Sequence, residues 1–182
     1  MLQKEKIDHW APVILDNSEY AQKAMTLFKE GYNCSQSVFL AFEDCYDIDH
    51  QSALRLSSSF GGGMGRLREV CGAVTGMFMV AGLLYGYEDP KDTKEKTDHY
   101  ARIQELARRF EEVNGSIVCR NLLGLGAGKD SYVPEKRTEE YYKKRPCGQL
   151  VGIAAMIMEN YIREQMQDVA LYNREPVKIL QE

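Results

Sequence analysis

Apolar positions recur at helical spacing through most of the chain. After the cap residues Asn17 and Ser18, the positions Tyr20, Ala24, Leu27 and Phe28 form one stripe, and Gly31 ends it. A second helix begins at Asn33 and carries Cys34, Val38, Ala41 and Phe42 on its inner face. Asp47 and Asp49 introduce a third, with Ala53, Leu54 and Leu56 as apolar contacts; serines and Gly61–Gly63 close it. Two later stretches differ from these amphipathic ones. No residue from Val70 to Tyr87 is charged, and none from Cys147 to Met158. A helix that is apolar all round is a buried one. Helices over about 70–86 and 147–162 are therefore the expected centre. Between them, Asp89-Pro90 reads as the N-cap and first position of a long helix with the stripe Tyr100, Ile103, Leu106, Phe110 and Val113, stopped by Asn114-Gly115. Ser116 caps a short helix holding Cys119, Leu122 and Leu123. Residues 124–136 contain three glycines and a proline and read as a loop, followed by a short charged helix at 138–144. No segment alternates as a strand does. The expected fold is all-α, a single-domain helical bundle around the two buried helices. Its boundaries are an N-terminal arm over 1–16, the helical cysteine-motif domain over 17–165 and a polar C-terminal tail over 166–182.

Composition narrows the partners. The 182 residues are 44% hydrophobic and 27% charged with a net charge of −4, and no basic run is long enough to track a phosphate backbone, so nucleic acid is excluded as a partner. No apolar core follows the N-terminal lysines, so no secretory signal is expected. The Val70–Tyr87 run contains four glycines and two tyrosines and stands alone, which suits a bundle core better than a membrane span. A cytoplasmic location follows as the expectation. In that reducing compartment cysteines serve as core residues, metal ligands or catalytic thiols more often than as disulfides. The arm and tail make a homodimer the expected oligomer.

There are five cysteines. Cys34, Cys71, Cys119 and Cys147 each fall in the first turn of an expected helix, where unpaired amides and a partial positive charge favour thiolate. Arg66, Arg68, Arg120 and Arg145 lie beside three of them. If the four ends meet, they make one electropositive pocket led by Cys71. Cys45 lies about 16 Å along the helix from Cys34 and reads as a packing residue. The cluster Gly61-Gly62-Gly63-Met64-Gly65 lacks the lysine and hydroxyl residue of a phosphate-binding loop. Gly61, Gly62, Gly63, Gly72 and Gly76 read instead as room for groups approaching Cys71 and for whatever cofactor binds there. No Cys-x-x-Cys occurs, so neither a zinc ribbon nor a thioredoxin-type motif is present. His9, His50 and His99 sit in polar surroundings and read as surface residues.

Cys34, the glycine cluster, the run Cys71-Gly72-Ala73-Val74-Thr75-Gly76, Cys119 and Cys147 occur in an order that resembles the C_GCAxxG_C_C family of bacterial and archaeal redox-active proteins. The resemblance covers about residues 25–160, with Cys-Gly-Ala here where the family pattern has Gly-Cys-Ala. It implies a redox or metal role without naming a reaction. Three readings stand. The four cysteines hold an iron–sulfur cluster or another thiophilic metal for electron transfer. Alternatively they perform metal-free thiol–disulfide chemistry, with Cys71 attacking and Cys34, Cys119 or Cys147 resolving. In the third reading the protein is a non-catalytic binding or assembly module with inert cysteines. The first two imply a redox partner protein or a small-molecule thiol.

Overall fold

The computed structural model describes residues 15–172 apart from residue 129, and side chains no further than residue 167. Helix α1 (Glu19–Lys29) begins where the Ser18 hydroxyl accepts the Ala21 amide, and it buries Ala21, Ala24 and Phe28. The same hydroxyl donates to the buried carboxylate of Glu159 on the last helix, α9 (Cys147–Tyr172), which fastens the two together. Helix α2 (Cys34–Ala41) opens with a capping box: Asn33 accepts the Ser35 and Gln36 amides, and the Gln36 side chain accepts the Asn33 amide. A 3₁₀ turn (Glu43–Cys45) leads to α3 (His50–Ser58), capped by Asp49. The glycine-rich α4 (Gly61–Met64) precedes α5 (Gly72–Tyr85), then come α6 (Thr93–Asn114), α7 (Cys119–Leu122) and α8 (Glu139–Lys144). One isolated antiparallel bridge, Val70 to Val118, interrupts an otherwise helical bundle among the described residues. The fold is all-α, as the apolar spacing requires.

The two uncharged helices are at the centre and touch each other, with a third element packed against both. Helix α9 packs on α1, α2, α5 and α6, while α2 packs along α5. Seven of the eight residues of α2 are buried, so it is not the amphipathic helix its pattern suggests. Ser35 and Ser37 disguise it. The Ser37 hydroxyl returns to the Asn33 carbonyl at 2.8 Å, which lets a polar side chain be buried without an open donor. Ser35 lies under Gly76, where an added Cβ would stand 2.7 Å from the Ser35 carbonyl oxygen. Gly72 and Gly76 thus bring two backbones together. Gly82 does not, since its Cβ would meet nothing within 4 Å.

Several boundaries move. Helix α6 starts after Asp92, whose carboxylate accepts the Glu95 amide; Asp89 instead accepts the Lys91 amide in the turn before it. The hydroxyl of Ser116 accepts the Val118 amide, but Val118 is the N-cap of α7 and supplies no side-chain cap. Leu56 and Tyr100, each 52% exposed, lie at the outer edges of their stripes. His99 is half-buried against the Tyr87 ring, and burial lowers its pKa. The expected arm lies outside the described residues except for Leu15, which is buried, and Asp16; His9 lies outside them too. Helix α9 continues to Tyr172 through the start of the expected tail, and the rest of that tail is outside the described residues. Among the described residues no helix is long and apolar enough to cross a membrane.

Candidate functional site

The starts of α2, α5, α7 and α9 face one cavity of about 260 Å³. Cys34, Cys119 and Cys147 are the first residues of α2, α7 and α9, and Cys71 is the N-cap of α5; all four line the cavity and are buried. None is in a disulfide. Cys45 is elsewhere, half-buried with its Sγ 3.2 Å from the Tyr20 hydroxyl.

Local backbone geometry makes this convergence. The Cys71 amide donates to the Ile117 carbonyl at 2.8 Å, the Cys119 amide to the Glu69 carbonyl at 2.7 Å and the Arg120 amide to the Arg68 carbonyl at 3.2 Å. Two short segments, each ending at a helix start, are thereby stitched side by side. Gly63, with φ +71°, allows the approach: its added Cβ would lie 2.6 Å from Cβ of Cys119. At Gly72 an added Cβ would lie 3.0 Å from Cβ of Cys34. Of the five glycines singled out from the sequence, Gly61, Gly62 and Gly72 line the cavity. Gly63 and Gly76 stand behind its wall and set the spacing.

The four thiols are not equivalent. The neighbouring Cys147 thiol lowers the Cys34 pKa to about 7 from the ordinary 9.0, against the cost of burial and with further help from the Gly62 amide and the Arg137 charge. The neighbouring Cys34, with burial, raises Cys147. Burial raises Cys119 despite a guanidinium nitrogen of Arg68 at 3.8 Å from its sulfur. Cys71, the lead nucleophile by its place on the central helix, is also raised, first by burial and then by the neighbouring Cys34 charge. A helix start does not offset complete removal from water. Of the four, Cys34 is the one whose pKa is lowered.

Four arginines line the same cavity: Arg66, Arg68, Arg137 and Arg145. Arg68 is 3% exposed and holds a left-handed backbone with φ 66°, an unusual conformation for a bulky residue. Its Nε donates to Asp130 at 2.6 Å while its other end faces Cys119, so it joins the 124–138 loop to the thiol site. Arg120 turns away to the Gly126 carbonyl. Arg137 was not singled out by the sequence, where it is one cation in a mixed-charge stretch. No local signal marks it, because its place beside Cys34 depends on how the loop returns over α1.

Thiolate sulfurs suit iron–sulfur clusters and thiophilic metals by chemistry. Among the described residues, however, no three cysteine, histidine or acidic side chains are grouped closely enough to hold a metal ion. The arrangement does not fit a single-ion centre.

The family model described as "Putative redox-active protein (C_GCAxxG_C_C)" matches residues 32–161. The chain belongs to this family. All four cavity cysteines of this C_GCAxxG_C_C protein fall inside the matched span. No curated protein and no solved structure matches the chain.

Proposed function

We propose that this C_GCAxxG_C_C protein is a metal-free thiol–disulfide redox protein in which Cys34 attacks and Cys147 resolves. The placement of these two thiols at the starts of α2 and α9 on one cavity carries the reading, with the Cys34 pKa lowered to about 7 and that of Cys147 raised. The Cys34 thiolate forms a bond to one sulfur of a disulfide substrate, the substrate S–S bond breaks, and the first thiol leaves. Cys147 loses its proton to that leaving group and attacks Sγ of Cys34, releasing the second thiol, which takes a proton from solvent. Two protein thiols are oxidised and one disulfide is reduced to two thiols. Five unpaired thiols suit a reducing compartment such as the cytosol, with a redox partner protein or a small-molecule thiol as the counterpart.

A second reading, cluster binding for electron transfer, is supported by all four cysteines lining one cavity rather than two of them. Titrating the reduced protein with the neutral hydroxyethyl disulfide separates the two. The expected product is a Cys34–Cys147 disulfide in a non-reduced peptide map, and Cys147→Ser accumulates a mixed disulfide on Cys34. Oxidation that leaves Cys34 free sinks the reading. Iron and sulfide in an anaerobic preparation, with visible absorption, establish the second instead.

A further inference from the structure

The cations around the cavity are unequally paired. Arg66 reaches Asp130 at 3.1 Å and Glu135 at 3.5 Å, Arg68 is bonded to Asp130, and Arg145 reaches Glu135 at 2.5 Å. Arg137 has no such carboxylate among the described residues. Its guanidinium donates to the carbonyls of Phe28 at 3.3 Å and Tyr32 at 3.1 Å, and lies 4.4 Å from the Phe28 ring centre and 5.2 Å from that of Tyr141. Carbonyl and ring contacts orient the group without neutralising it. Of the side chains lining the cavity, four are arginines and Glu135 is the one carboxylate. The site therefore carries surplus positive charge when the thiols are protonated, and Arg137 is where that surplus is unmatched. It is also the cation whose charge favours the Cys34 thiolate.

We infer that the cavity receives a small thiol compound bearing a carboxylate, with Arg137 as the receptor of the carboxylate and Cys34 facing the sulfur. At about 260 Å³ the space is just below the usual range for ligand cavities, which suits a small molecule better than an inserted protein loop. The two carbonyl bonds use one N–H on each terminal nitrogen of Arg137 and leave further donors for an anion such as a carboxylate. The binding part stands on the charge arrangement; only the chemistry that follows rests on the thiol–disulfide reading.

Binding is tested with S-methylglutathione, an unreactive thioether with two carboxylates, added to the full-length reduced protein in a calorimeter. Wild type binds it, Arg137→Gln weakens binding by about tenfold or more, and Arg137→Lys restores part of the loss. Wild type alone supplies a second readout that needs no variant. Relative to neutral hydroxyethyl disulfide, anionic oxidised glutathione oxidises Cys34 about tenfold faster than cationic cystamine does. Equal normalised rates together with no S-methylglutathione binding overturn the inference and leave the redox reading intact. Binding that is indifferent to Arg137→Gln removes Arg137 as receptor. Binding without oxidation by any of the three disulfides sustains the ligand site and removes the redox reading.

Discussion

Cys34 and Cys147 show how neighbours shift the ionisation of buried thiols in opposite directions. Burial alone opposes ionisation, and it prevails at Cys71 and Cys119. At Cys34 the neighbouring Cys147 thiol, the Gly62 amide and the Arg137 charge together outweigh it. A thiol whose pKa is lowered is ionised above its folded value and protonated below it. The alkylation rate of Cys34 by iodoacetamide should therefore rise with pH and reach half its maximum near 7. In Cys147→Ala the neighbouring thiol is gone, and the midpoint should move up toward the ordinary 9.0. Peptide mapping after timed alkylation reads both; an unmoved midpoint would separate the Cys34 thiolate from its partner. Arg68 shows a related trade. Its left-handed backbone costs on the order of 1 kcal/mol, and in that conformation its guanidinium spans Asp130 and Cys119.

At the scale of elements, caps and glycines explain where the helices stop and how near they come. Asn33, Asp49 and Gly115 mark ends that were readable, since a cap acts through its own neighbours in sequence. The burial of α2 was not readable, because Ser35 and Ser37 count as polar until their surroundings are known. The α2–α5 contact makes a direct comparison possible. In Gly76→Ala the new Cβ would crowd backbone at 2.7 Å, and the loss of stability is expected to be about 1–3 kcal/mol. Gly82→Ala on the same helix meets open space and should be stabilising by about 0.5–1 kcal/mol. Urea unfolding of the two variants checks the pair, and equal effects would rule out close backbone packing as the reason for Gly76.

The whole molecule couples this site to stability through pH. The Cys71 thiol stays protonated in the fold at pH values where an unfolded thiol ionises. Its pKa is raised, so its contribution is fully present below the unfolded value of about 9 and is lost as the pH rises through the folded one. Serine at this position does not titrate in that range. Between about pH 8 and pH 10 the stability of wild type relative to Cys71→Ser should fall by about 1 kcal/mol, measured by urea unfolding under reducing conditions. A constant difference would mean that Cys71 ionises as easily in the fold as outside it.

The helical class, the two uncharged helices at the centre and the placement of four cysteines at helix starts are legible in the chain. They follow from periodicity, charge and capping, which act over a few residues. That those starts face one cavity depends on long-range contacts: the stitched segments before α5 and α7 and the bare Cα atoms of Gly63 and Gly72. The tertiary structure also set Cys34 apart from Cys71, with the pKa of the first lowered and that of the second raised. A thiol's ionisation depends on its burial and on the polar groups and charges around it. For Cys34 these include the Cys147 thiol and the Arg137 charge, both far away along the chain.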